Sequence, residues 1–301
     1  MKYKKDSLTF EEQADLIISR GLIVDDKERL VSILHSVNYY RLSAYWYPFK
    51  QDNESLQPNI TLEKIWKRYT FDRQLRLLVM DAIERVEIAV RTLMVNAFVL
   101  EHGAFGYLYK ENFSNKFRNH SDLVVQIYRN TDRSNEEFVK HYQNKYNEEV
   151  HLPLWMAAEL MTFGNMFTMF KNIDRNMRIE LAQHYNLSAK VLESWLKTLN
   201  YIRNLCAHHA RLWNRELAIK PILPDKKNHE EWYNPVKIPN HRIFSVLTLL
   251  KYMLSYVAPH SKWQLRLEAL LENYNDIPLI PMGFPENWKE SPIWKNEEVS
   301  H

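Results

Sequence analysis

From Thr61 to about Glu101 the chain keeps a single helical rhythm. Leu75, Leu78, Val79, Ala82, Ile83, Val86, Val90, Leu93 and Ala97 recur every three or four residues, the spacing that lines side chains along one face of an α-helix. This is the longest periodic signal in the sequence, with a break expected near Asp72. Five glycines among 301 residues, against 13 phenylalanines, 9 tryptophans and 17 tyrosines, argue against glycine-rich phosphate loops and against the many tight turns of a β-sandwich or barrel. The fold class that follows is all-α, a multi-helix bundle rich in aromatic packing.

Shorter signals flank the long helix. Thr9 with Glu12 forms a capping-box pattern ahead of Leu16, Ile17 and Leu22, and Asp25 and Asp26 offer a second helix start leading to Leu30, Ile33, Leu34 and Val37. The block from Asn38 to Phe49 is unusually aromatic; it reads as core packing against the long helix, with stacking on nucleic-acid bases as the other use for such residues. Pro153 is placed to open a helix running to about Phe170, and Ser188 to open one running to Leu212. Further helices are expected over 121–130, 134–147, 174–185, 241–257 and 261–273. Prolines 221, 224, 235 and 239, and 278, 281, 285 and 292, mark extended stretches. The resulting organisation is an N-terminal helical extension over 1–60 packed on the core, a helical domain over 61–275 and an extended tail over 276–301. Asp72/Arg76, Asp81/Arg85 and Glu87/Arg91 read as i,i+4 pairs on solvated helix flanks, each contributing about 0.2–0.5 kcal/mol.

A formal charge of +3 does not by itself announce a nucleic-acid binder. The single cysteine, Cys206, excludes an intramolecular disulfide framework and a zinc site built on several thiolates, and it lies in an apolar stripe where a buried thiol is expected. With no basic-then-apolar N-terminal pattern and no apolar run of spanning length, the chain reads as cytoplasmic, without a membrane partner.

The chemistry concentrates in residues 199–216. Arg203, His208, His209, Arg211 and Arg215 put three permanent cations and two imidazoles within thirteen positions, opposed by Glu216 alone. Such a group suits a phosphodiester, because guanidinium forks grip non-bridging oxygens and imidazole moves protons near neutral pH. On RNA, a base takes the 2′-hydroxyl proton, O2′ attacks the adjoining phosphorus, and an acid protonates the departing 5′-oxygen; no metal or cofactor is required. On a regular helix Leu192, Trp195, Leu196, Leu199, Ile202 and Cys206 share a stripe, Arg203 falls on its shoulder, and Asn204 and His208 share a line beyond. Arg203 and His208 are then about 140° apart, so they converge only if the helix is distorted, if the arginine curls round, or if a second copy brings an equivalent helix alongside. A symmetric dimer is the natural expectation. The adjacent histidines do not have metal-ligand spacing.

The run Arg203-Asn204-Leu205-Cys206-Ala207-His208 resembles the motif of the HEPN superfamily of helical ribonucleases, an arginine followed after four to six residues by histidine. With Tyr39-Tyr40-Arg41-Leu42-Ser43, Phe71-Asp72-Arg73-Gln74-Leu75-Arg76 with Glu84, Glu87 and Arg91, and Phe163-Gly164, the wider pattern resembles bacterial Abi-like abortive-infection proteins of the AbiD/AbiF type over residues 8 to 255. The resemblance implies an all-α HEPN-like bundle and a metal-independent endoribonuclease with no cofactor. It also implies a homodimer with a composite active site, acting as a toxin-like antiphage effector. An antitoxin, small RNA or protein, is a possible partner under this resemblance. By it Arg203 stabilises the phosphorane, His208 is general acid or base and Asn204 orients them. His209, Arg211 and Arg215 are expected to contact substrate. The alternatives are a helical module that binds RNA or protein without turnover, and a regulator whose basic helix end docks an acidic protein.

Overall fold

The computed structural model describes residue 2 and residues 6–295. Among them are twelve α-helices and no β-strand, only two isolated bridges. The long helix, α4 (Leu62–His102), runs unbroken for 41 residues, from an N-cap at Thr61 to Gly103 at φ +74°, or about 60 Å of axis. Asp72 does not interrupt it, because its side chain points inward and finds donors there.

Around α4 pack α3 (Tyr39–Trp46), α10 (Ala189–Ala207), α11 (Ile243–Val257) and α12 (Trp263–Asn273). Helices α1 (Phe10–Ser19) and α2 (Lys27–Val37) pair with each other. Both expected caps are present: Thr9 and Glu12 close a capping box, and Asp26 accepts the Arg29 amide. Ile23 exchanges backbone hydrogen bonds with Ile60 and Leu62, both at 2.9 Å, which staples these helices to the start of α4. Helices α8 (Phe163–Asn172) and α9 (Arg175–Gln183) pack on α10 and α4, α5 (His120–Asp132) packs on α8, and α6 (Glu137–Lys145) follows α5 in the chain. The buried apolar side chains from Ala14 to Trp294 form one continuous cluster.

Other expectations are corrected as well. The helix expected from Pro153 to Phe170 is divided into a single turn, α7 (Leu154–Ala157), and α8. The Leu160 carbonyl accepts from Asn130 at 3.1 Å, and Thr162 with Asn165 forms a new capping box that restarts the helix. The helix expected to reach Leu212 stops at Ala207, for reasons given below. Asp72 and Arg76 are not solvated: Asp72 is 0% exposed and its ion pair with Arg76 is internal. The other two pairs form, Asp81–Arg85 at the surface and Glu87–Arg91 half-sheltered.

Among its described residues the proline-rich tail has no α-helix, but two 3₁₀ turns fold it against the bundle, burying Met282, Phe284, Trp288 and Trp294. Trp294 donates to Thr248 Oγ1 at 3.1 Å while its carbonyl accepts from Gln264 at 2.7 Å. Trp294→Ala should therefore cost about 3–5 kcal/mol in denaturant unfolding; a loss under about 1 kcal/mol would show the tail to be outside the cooperative unit.

Candidate functional site

Asp72 organises the region. Its Oδ1 accepts the backbone amides of Leu212 at 3.0 Å and Trp213 at 2.6 Å. Its Oδ2 accepts the Tyr45 hydroxyl at 2.6 Å and the Arg76 guanidinium. One carboxylate thus joins α3, α4 and the segment after α10. Burial pushes its carboxyl above the ordinary range while these four donors oppose the shift. Because every neighbour donates, the ionised form is the one this geometry satisfies. Arg76 is pushed down by burial but held up by Asp72 and Tyr45, with a net rise.

This capture explains why α10 ends early. The amide of His208 bonds the Asn204 carbonyl at 3.0 Å, that of His209 bonds Cys206 at 2.9 Å, and that of Ala210 reaches back to Leu205 at 2.8 Å. This is a Schellman termination with His209 at φ +56°, a left-handed position that normally takes glycine or asparagine. Asn38, between α2 and α3, is held at φ +68°. Both residues line one cleft of about 470 Å³, and sparsely populated backbone conformations of this kind gather at functional sites.

Into this cleft face His208, His209, Arg211 and Arg215, four of the six residues singled out in the sequence, together with Tyr40 and Arg41 of α3. Two arginines clasp the opposing walls: Arg41 donates to the His209 carbonyl at 2.8 Å and Arg211 to the Ala44 carbonyl at 2.6 Å. Arg215 donates through Nε to the Arg211 carbonyl at 2.6 Å. Burial, then the charge of Arg215, lowers the pKa of Arg211. Such crowding of cations favours an anionic occupant. Trp213 backs the floor, stacked on Tyr45 with centroids 6.4 Å apart, with the Arg68 and Arg211 guanidiniums over its ring.

Arg203 lies elsewhere. It opens onto a second cleft of about 350 Å³ with Leu77, Met80, Glu84 and Glu87 of α4. Burial and then Glu84 raise the pKa of Glu87, while Arg91 and Arg203 pull it down. Leu77 and Ile88, 59% and 52% exposed, lie on the same face of α4 as Glu84. The Asn204 side chain is exposed and lines neither cleft. Within one protomer Arg203 and His208 thus do not share a groove. Cys206 is buried, and burial raises its thiol to about 12, so it is no nucleophile at neutral pH.

Reading the sequence by itself did not place Tyr40 and Arg41 at the cationic cleft. The signal available was the position of Tyr40 on α3, turned away from the buried Leu42, Tyr45 and Trp46, with Arg41 next to it. In the sequence Asp72 reads as solvated because its i,i+4 arginine is a sufficient local partner. No helix among the described residues is long and apolar enough to cross a membrane.

Two measurements check this construction. Asp72→Ala, which strands Arg76 and two amides, should cost about 3–5 kcal/mol and accelerate hydrogen exchange at the amides of Leu212 and Trp213. Exchange there at the original rate would remove Asp72 from its role in shaping the turn. Cys206 should resist iodoacetamide at pH 8 in the native protein and react on unfolding.

A family model described as Abi-like protein matches residues 32–214, more than half of the chain and all of the segment from α3 to the Asp72-bound turn. No curated protein matches the chain, and no solved structure does.

Proposed function

The chain belongs to the Abi-like family, and from that premise we propose that it is a metal-independent endoribonuclease, of the HEPN type, serving as a toxin-like effector of abortive infection. The observation that carries the reading is the 470 Å³ cleft in which two histidines and three arginines converge with one carboxylate, Asp72, buried behind them. Guanidiniums there would bind the phosphodiester, and an imidazole at the C-terminus of α10 is reachable from solvent. His208 would take the 2′-hydroxyl proton or protonate the departing 5′-oxygen, and one imidazole can serve in both halves of such a reaction. O2′ bonds to phosphorus as the P–O5′ bond breaks, leaving a 2′,3′-cyclic phosphate and a 5′-hydroxyl.

In this reading Arg203 stabilises the phosphorane from a second copy of the chain. Support for a composite site comes from the separation of the two clefts and from the exposed Leu77 in the cleft with Arg203, with the exposed Ile88 on the same face of α4, an apolar border suited to burial between copies. Asn204, exposed on α10, would orient the pair across that interface. An antitoxin, RNA or protein, would restrain the activity by covering the same basic cleft. The separation of Arg203 from His208 favours, as a second reading, an RNA-binding module without turnover.

Purified protein with total RNA in excess chelator distinguishes them. Cleavage leaving 2′,3′-cyclic phosphate ends, reduced at least about 100-fold in both Arg203→Ala and His208→Ala, is the expected outcome. RNA retained without cleavage selects the second reading, and neither binding nor cleavage overturns both. A strict monomer in sedimentation removes the composite site.

A further inference from the structure

Tyr40 is 78% exposed, yet it stands on the wall of the cationic cleft rather than on an open face. Its placement is built by its neighbours. Asn38, at φ +68°, turns the chain from α2 into α3 and accepts the Tyr40 amide on its side-chain oxygen at 2.9 Å. The Tyr39 ring then packs against Tyr40 in a T-shaped contact, with centroids 6.0 Å apart and planes at 83°. Tyr39 is itself fixed by Trp46, 5.3 Å away, and by Arg20, which donates to its hydroxyl at 3.1 Å. Tyr40 is thus braced from one side while most of its surface faces water, and no hydrogen bond within the chain uses its hydroxyl among the described residues. Beside it Arg41 spends one guanidinium N–H on the His209 carbonyl and keeps the rest for a ligand.

A braced aromatic face beside a group of cations matches a ligand that is flat at one end and anionic at the other, as a nucleotide is. A cleft of about 470 Å³ accommodates an isolated base and its phosphate but not paired strands, whose base faces are already stacked. We propose that Tyr40 is the stacking platform for an unpaired RNA base next to the phosphate held by Arg211 and Arg215, so that α3 selects single-stranded over duplex RNA. The proposal rests on the RNA reading of the same cleft. Because a π-face contact ignores base identity, α3 confers strandedness rather than sequence preference.

The test measures fluorescence anisotropy of a short labelled single-stranded oligouridylate and of its duplex with oligoadenylate, in the full chain carrying His208→Ala so that turnover does not intrude. Adding Tyr40→Leu should weaken single-strand binding about ten-fold and leave duplex binding unchanged. Adding Tyr40→Phe should preserve single-strand binding, and neither should alter thermal unfolding, since the side chain is exposed. Equal single-strand binding with Tyr40→Leu overturns the platform while leaving the RNA reading intact. A loss with Tyr40→Phe as large as with Tyr40→Leu also overturns it, because the hydroxyl and not the ring would then carry the contact. No RNA binding by the Tyr40-containing protein overturns the platform together with the reading it rests on.

Discussion

A single buried carboxylate sets the geometry of the basic cleft. A fully enclosed Asp72 would be costly alone, and here four donors converge on its two oxygens: two amides of the chain after α10, the Tyr45 hydroxyl and the Arg76 guanidinium. Those donors come from three separate elements, so satisfying one charge fixes the position of α3, α4 and the 208–213 turn relative to one another. The arginine clasp between Arg41, Arg211 and the carbonyls of His209 and Ala44 is a consequence. Once α3 and the turn are held face to face, each supplies a backbone carbonyl that an arginine of the other reaches.

The cleft's chemistry follows from how α10 ends. Had the helix continued to Leu212, His208 and His209 would point 100° apart and Arg211 would sit a turn further along the helix. Stopping at Ala207, with His209 in a left-handed conformation, instead turns both imidazoles and the following arginines toward α3. The strain at His209 and Asn38 is stored at the cleft itself, where the surrounding hydrogen bonds over-determine it. Arg203, still within regular helix, remains on the α4 side with Glu84 and Glu87. Arg203 and His208, already about 140° apart on a regular helix, thus open onto two different clefts.

Spacing and capping residues made the helices legible, including the ends of α4 though not its continuity through Asp72, the starts at Thr9, Asp26 and Ser188, and the burial of Cys206. The density of cations between Arg203 and Arg215 was equally plain, and four of the six candidate residues do meet in one cleft. What could not be read was which partner an ionisable group would choose. Asp72 has an arginine one turn along its own helix, a sufficient explanation in sequence space, yet its other three donors lie 27 residues upstream and some 140 downstream. Tyr40 posed the same difficulty: the aromatic block that contains it is mostly core, and only the rotation of α3 separates Tyr40 from Tyr45 and Trp46.

The sequence by itself determined the all-α class, the central helix and the identity of the cationic segment, because these depend on spacing and composition within a few turns of chain. The tertiary structure decided where α10 stops and which wall faces the imidazoles. Those outcomes depend on a hydrogen-bond contest at Asp72 between residues far apart in the chain. Local propensity does not enter that contest; the desolvation of one carboxylate does.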